Sequence, residues 1–162
     1  MVMTTTENAK PITKDELLTH WQGHRSLTRK VIAAFPEQEF FTYSLGGMRP
    51  CADLIKEMLR MAVPGLRQIV TNSQEPYKET GIQFTTKAEA LALWDAATPE
   101  LTRLWALIPE ERFHENFAMC GQYEGTVWWS LFYFMDNEIH HRAQAYVYLR
   151  SLGIEPPAFW DR

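Results

Sequence analysis

The sequence predicts an all-α protein, an antiparallel four-helix bundle. Three observations favour this class: four long segments carry apolar residues at helical spacing, short or medium connectors separate them, and no segment shows a convincing period of two. The 162 residues are 46% hydrophobic, which is enough for one core. We therefore expect a single domain over residues 1–162, with the polar residues 1–11 as a flexible tail.

The first two helices are predicted from their end signals. Thr13-Lys14-Asp15-Glu16 has the form of a capping box, and the helix that it opens should end near Phe35-Pro36. Residues 40–47 are interpreted as a connector. A second helix is expected from about Pro50, and Pro64-Gly65 should kink or divide it.

The third helix begins at a second capping-box pattern, Thr86-Lys87-Ala88-Glu89. Pro99 predicts a kink within it. The polar residues 72–81 before this helix are interpreted as a loop, and residues 109–125 after it as irregular structure.

The last helix has the most unusual pattern in the chain. It is predicted from near Thr126 to Leu152, where Gly153 ends it. Residues 136–144 place several polar side chains in its apolar middle, and burying such groups costs about 1–3 kcal/mol each unless they find partners. The inward stripe is predicted to be Val127, Leu131, Phe134, Glu138, His141, Ala145, Tyr148 and Leu152.

This stripe suggests a metal site. His141 lies on it with Glu138, and Asn137 stands one turn before His141 on the flank of the same face. Imidazole and carboxylate groups are common ligands of transition metals. On the other helices, Glu57 is the carboxylate best placed to join them.

A structural interpretation of the same residues stays open. His141 can be a hydrogen-bonded core histidine, and either carboxylate, of Glu138 or of Glu57, can pair with a nearby arginine. Arg142 and Arg60 are the candidates. Arg60 and Arg67 can hold an anionic substrate or stand as solvated charges, and the pattern favours solvated charges.

Other histidines give weaker signals. His20 and His24 are one turn apart and can bind one ion together, but Gly23 between them and Arg25 beside them favour a solvated pair. His114 lies among acidic residues and is expected to be exposed.

Composition excludes several classes of function. The net charge of −4 argues against nucleic acid or an anionic membrane as a partner, and no apolar run is long enough to span a bilayer. Cys51 and Cys120 have no CxxC spacing, so we expect free thiols in a reducing cytoplasm. No secretory signal pattern is visible. The aromatic cluster at residues 128–134 covers more than one helix face, which favours a homodimer interface.

The segment His140-His141-Arg142-Ala143-Gln144, followed by residues 148–157 (YLRSLGIEPP), resembles the closing helix of the DinB/YfiT-like family, whose signature has the form HHRGQ…YLRxLGxxPP. The helix order is similar over nearly the whole chain. The resemblance implies a four-helix bundle, often a homodimer. It also implies a divalent metal held by three histidines, one on the second helix and two, four residues apart, on the last.

Carried over by this resemblance, the three metal positions fall on His141, Asn137 and Glu57. Only His141 keeps the family's residue. A carboxylate is a competent ligand, whereas an amide oxygen suits harder ions better than zinc. The expected cofactor is therefore a divalent metal (Zn, Ni or Mn), or none.

Two functions follow from the resemblance. The first is a metal-dependent hydrolase or thiol transferase acting on a small molecule, with Glu138 or His140 as general base. The alternative is a non-enzymatic dimeric bundle whose polar site is metal-free and binds a small ligand or a partner protein.

Overall fold

The computed structural model describes residues 12–76 and 81–162. The tail predicted for residues 1–11 lies outside the described residues, as do residues 77–80 of the predicted loop. The described residues form the following elements: α1 (Lys14–Ala34), α2 (Glu37–Thr42), α3 (Cys51–Thr71), α4 (Lys87–Ala106), a 3-10 helix (Glu110–His114), β1 (Asn116–Met119), β2 (Tyr123–Thr126) and α5 (Val127–Ser151).

The predicted starts and ends of the long helices are confirmed to within one or two residues. Thr13 and Thr86 each accept a hydrogen bond from the third helical N–H, and a glutamate closes both capping boxes. Thr126 caps α5 by accepting from the N–H of Trp129. These local bonds satisfy N–H groups that a helix start otherwise leaves without a partner.

Three expectations about local structure were wrong. Residues 40–42, the first part of the presumed connector, belong to the short helix α2. The region taken as irregular contains an antiparallel hairpin in which Phe117 pairs with Gly125 and Met119 with Tyr123. Neither strand exceeds four residues, which is too short for a period of two to stand out. Finally, of the two alternatives for Pro64-Gly65, the division of the helix is wrong, because Pro64 lies inside one continuous helix, and the kink stays a prediction.

The predicted four-helix bundle is confirmed. Both α1 and α3 pack against α4 and α5. Hydrogen bonds from Gln22 to Thr102 and from Arg29 to Asp95 show that α1 and α4 are antiparallel. The α3–α5 pair is antiparallel too, whereas α1 runs parallel to α5 and α3 to α4. Because α3 and α4 are parallel, the chain between them has to return along the bundle, and residues 72–76 and 81–86 are its described parts.

The core has two apolar clusters with polar residues between them. One surrounds Trp21 and Phe134, and the other surrounds Trp94 and Tyr148. The buried polar side chains are His24, Arg25, Thr28, Ser130, Glu138, His141 and Arg142. All of these residues lie on α1 and α5. The polar groups in the middle of α5 bind partners on α1 and also on α3. Cys51 and Cys120 are both buried, and no disulfide joins them. Within the described ranges, none of the helices has the length and apolar character needed to cross a bilayer.

Candidate functional site

The structure brings together the three residues predicted at the metal positions. On α5, Asn137 and His141 lie one turn apart and face Glu57 of α3. The His141 Nε2 is 2.9 Å from Glu57 Oε1, and Asn137 donates from Nδ2 to the same oxygen at 3.0 Å. We call this group the Glu57 cluster.

Two further residues complete the Glu57 cluster, and the sequence interpretation missed both. Arg49, just before α3, forms an ion pair with Glu57 Oε2. The His141 Nδ1 is 2.8 Å from Gln144 Oε1, so both ring nitrogens of this buried histidine face oxygen atoms. The i, i+3 spacing from His141 to Gln144 was a usable signal. Arg49 lies outside the helix pattern and gave none.

The charge of Glu57 is stabilised by its neighbours. Partial burial would raise its pKa, but hydrogen bonds from His141, Asn137 and Arg49 outweigh burial and lower the pKa to about 2. Glu57 is therefore a carboxylate at neutral pH with both oxygens engaged. The ion pairs of Glu57 are with Arg49 and His141, and not with the predicted alternative partner Arg60.

The residues present do not match a three-histidine zinc or nickel site. In the described part of the chain, no three His, Cys, Asp or Glu side chains are grouped closely enough to hold a metal. The cluster offers one imidazole, one carboxylate and one amide, and the Arg49 guanidinium already neutralises the carboxylate. Zinc sites ordinarily use three or four nitrogen, sulfur or carboxylate ligands. One feature favours a cation: Asn137 Oδ1 is buried without a hydrogen-bond partner.

Glu138 lies apart from the Glu57 cluster. Its carboxylate points towards α1, where Oε1 accepts from Thr28 at 2.7 Å and Oε2 accepts from the indole N–H of Trp21 at 3.2 Å. The guanidinium groups of Arg25 and Arg142 each approach it to 3.8 Å. The pairing of Glu138 with Arg142 was one of the structural alternatives, and the geometry supports it. Glu138 joins α1 to α5 in the interior.

The expectation that His20 and His24 form a solvated pair is wrong for His24. His20 is exposed, but His24 is buried, with Nδ1 2.8 Å from Arg142 and Nε2 3.0 Å from Arg162. Burial, together with the charges of Arg142, His20 and Arg162, lowers the pKa of His24 to about 4. The sequence prediction took Arg25 beside His24 as a sign of a solvated surface, but both residues lie on the buried face of α1.

The last two candidate histidines are exposed. His140, a predicted general base, is at the surface, and its ring packs edge-on against His141 with centroids 5.0 Å apart. It therefore adjoins the Glu57 cluster from outside. His114 is exposed, as expected, at the end of the 3-10 helix.

A large groove runs along the outer side of α3, and we call it the α3 groove. Its volume is about 840 Å³. One wall is the face of α3 between Asp53 and Thr71, which includes Glu57, and the opposite wall includes Ser73, Pro76, Ile82 and Gln83 from the α3–α4 connection. The groove thus lies between α3 and described residues of the α3–α4 connection, and Glu57 belongs both to its lining and to the Glu57 cluster.

The fold and this site define an all-α bundle with a polar cluster at its α3–α5 interface. A sequence model of the DinB family matches residues 3–161, and the chain belongs to that family. Proteins of the family are commonly metal-binding.

Two solved structures have the same fold. A DinB-like protein from Bacillus subtilis is 19% identical with a TM-score of 0.72, and the match covers 91% of this chain and 99% of that one. A DinB-like protein from Bacillus cereus is 14% identical with a TM-score of 0.71, covering 89% and 95%. The comparison with curated proteins found no similar sequence.

Proposed function

We propose that this DinB-family protein binds a small molecule in the α3 groove and that its Glu57 cluster works as a metal-free polar network. The observation that carries the proposal is the saturation of Glu57: three donors, one of them the Arg49 cation, occupy its two oxygens. A resident zinc or nickel ion would have to displace His141 from this carboxylate and stand beside a guanidinium.

The network gives the groove a fixed charge and a fixed donor geometry. Because Glu57 stays ionised, it holds Arg49 and the ring of His141 in place. Such a prepared polar wall orients a ligand without needing to reorganise when the ligand binds. His140, exposed beside His141, adds an imidazole at the rim.

Metal analysis of protein purified without an affinity tag tests the proposal. We expect less than about 0.1 equivalent of zinc, nickel or manganese, and no rise in melting temperature when an excess of each ion is added, since an ion that binds only the folded state must stabilise it. The Asp53→Asn variant, which changes a carboxylate one turn earlier on α3, is the matched control for Glu57→Gln. Stoichiometric metal that is lost in Glu57→Gln and retained in Asp53→Asn would overturn the proposal.

A second candidate is a metal-dependent hydrolase or thiol transferase, and the unpartnered Asn137 Oδ1 favours it. In that case Glu57, Asn137 and His141 would hold the ion, and a metal that accepts amide oxygen, such as Mn²⁺, would suit them best. When bound, it would supply Lewis-acid activation of water or a thiol. His140 would be the general base, since both oxygens of Glu138 are engaged in the interior.

We further propose a cytoplasmic homodimer that associates through aromatic residues at the start of α5. Trp129 is 43% exposed and Tyr123 is 50% exposed, and both stack on Tyr133. Exposed contiguous aromatic surface is typical of association sites. The charge of −4 argues against nucleic acid as the partner.

A further inference from the structure

The α3 groove has the size of a small-molecule site. Its volume of about 840 Å³ is within the range of roughly 300–1,000 Å³ that such sites occupy. Met61 and Pro64 on α3 and Ile82 on the opposite wall give it apolar surface. The groove therefore suits a ligand that has an apolar body as well as a polar group.

The charges along the groove point to the sign of that polar group. Four cationic residues, Arg49, Lys56, Arg60 and Arg67, line its described part, against the two acidic residues Asp53 and Glu57. The whole chain carries a net charge of −4, so the excess of positive charge is local to this groove. The groove has more cationic than acidic side chains, and such a net local charge favours ligands of the opposite sign.

Three of the four cations are already paired. Arg49 is bound to Glu57, Lys56 Nζ lies 3.1 Å from Asp53, and Arg67 lies 3.1 Å from Glu100 of α4. Their charges are largely balanced within the protein. These three side chains line the groove, but their ionic partners make them less available to a ligand.

Arg60 differs from these three. Among residues 12–76 and 81–162 it makes no hydrogen bond or ion pair, and its Nε is buried without an acceptor. Its Nε–H is thus an unsatisfied donor, and the Arg60 side chain that carries it lines the groove. The planar guanidinium binds carboxylate and phosphate groups through two parallel hydrogen bonds.

We infer that the α3 groove binds a small organic anion, a carboxylate or phosphate monoester with an apolar body, and that Arg60 is its anchor. This inference rests on the proposed function, in which the groove is the ligand site, and adds the chemical class of the ligand. The head group would accept hydrogen bonds from Arg60, and the apolar body would lie against Met61, Pro64 and Ile82.

The test is a titration of the full-length protein with three probes: 4-phenylbutyrate, phenyl phosphate and the neutral 4-phenylbutyramide. NMR follows the Nε–Hε signal of Arg60. We expect at least one anion to bind, the amide to bind about 10-fold or more weakly, and the Arg60 signal to shift on anion binding, because a charge-assisted hydrogen bond contributes about 1.5–3 kcal/mol.

Two variants separate Arg60 from general electrostatics. Arg60→Gln should weaken anion binding about 10-fold, whereas Arg67→Gln, which removes an equal charge from the same groove, should change it less than about twofold. Thermal melting confirms that both variants are folded. Equal weakening in the two variants, binding of the amide as tight as that of the anions, or binding of no anion would overturn the inference. Metal analysis tests separately whether the Glu57 cluster is free of metal. A failure of the anion-binding inference can therefore be distinguished from a failure of the proposed metal-free network.

Discussion

The His141 Nε2 lies 2.9 Å from Glu57 Oε1, although 84 positions separate the two residues in the chain. This contact joins α5 to α3 at the place where the DinB-like signature puts metal ligands. The two side chains meet there in a direct hydrogen bond. This contact and four other features of the structure lead to predictions that measurements can check.

Glu57 should make stability depend on pH in an acidic window. Its folded pKa, about 2, is below the ordinary value of 4.5. A carboxyl group with a depressed folded pKa stabilises the protein above its unfolded pKa, and this contribution is lost as the pH falls through the folded value. We expect the wild-type free energy of unfolding to fall between pH 4.5 and about 2, and Glu57→Gln to remove part of that fall. Urea titrations at several pH values measure it. Asp53→Asn should keep the wild-type slope; an unchanged slope in Glu57→Gln would contradict the prediction.

Glu138 should matter for stability because it is the acidic centre of a buried group. Replacing it with leucine leaves Arg25 and Arg142 buried without a counter-charge, for a cost of about 3–5 kcal/mol. Glu138→Gln keeps an oxygen acceptor for Thr28 and should cost less. The exposed Asp136→Asn on the same helix is the control and should be near neutral. Urea denaturation measures all three, and a stable Glu138→Leu protein would show that the buried charges are not coupled.

His24 should act in a different pH window. Its folded pKa of about 4 is below the ordinary 6.5, so the unfolded chain binds more protons between these values. Stability should therefore fall as the pH drops from 6.5 to about 4, since burial opposes charging the ring. His24→Gln should flatten this part of the profile, and the exposed His114→Gln should not. Circular dichroism melts across the window give the answer, and identical profiles for the two variants would reject it.

Gly65 should be intolerant of a side chain although it lies within a helix. Alanine favours helices by about 1 kcal/mol over glycine. A Cβ at residue 65, however, would clash with the ring of Phe134 on α5. We expect Gly65→Ala to destabilise the protein by about 1–3 kcal/mol, as overpacked cores do. Adding Phe134→Leu should recover part of the loss in the double variant. If Gly65→Ala is instead more stable, the close approach of α3 and α5 is not constrained there.

The proposed dimer predicts that a charge at Trp129 separates the subunits. Trp129→Asp should sediment as a monomer at concentrations where the wild type is a dimer, because a buried unpaired charge opposes association. Trp160→Asp is a matched control, since Trp160 is 72% exposed in the C-terminal segment, where the adjacent Asp161 pairs with Lys30 near the end of α1. A wild type that sediments as a monomer, or two variants that behave alike, would rule out this surface.

Much of the fold was predictable because its signals are local. Each capping box needs only four consecutive residues, and the apolar stripe of α5 repeats within a single helix. Of the eight residues predicted for that stripe, only Leu152 is not buried. The short elements α2, β1 and β2 gave no comparable pattern, because four to six residues contain too few repeats of either period.

The sequence by itself determined that the chain is a helical bundle and that polar groups occupy the middle of its last helix. It also grouped Glu57, Asn137 and His141 through the family resemblance. Only the tertiary structure decided which polar groups meet. Glu138 and His141 share one predicted stripe, yet the first faces α1 and the second faces Glu57 on α3. A helix pattern fixes the direction of a side chain relative to its own axis, but its partner depends on which helix packs on that side. The partner, in turn, decides whether a buried carboxylate meets arginine, histidine or a metal.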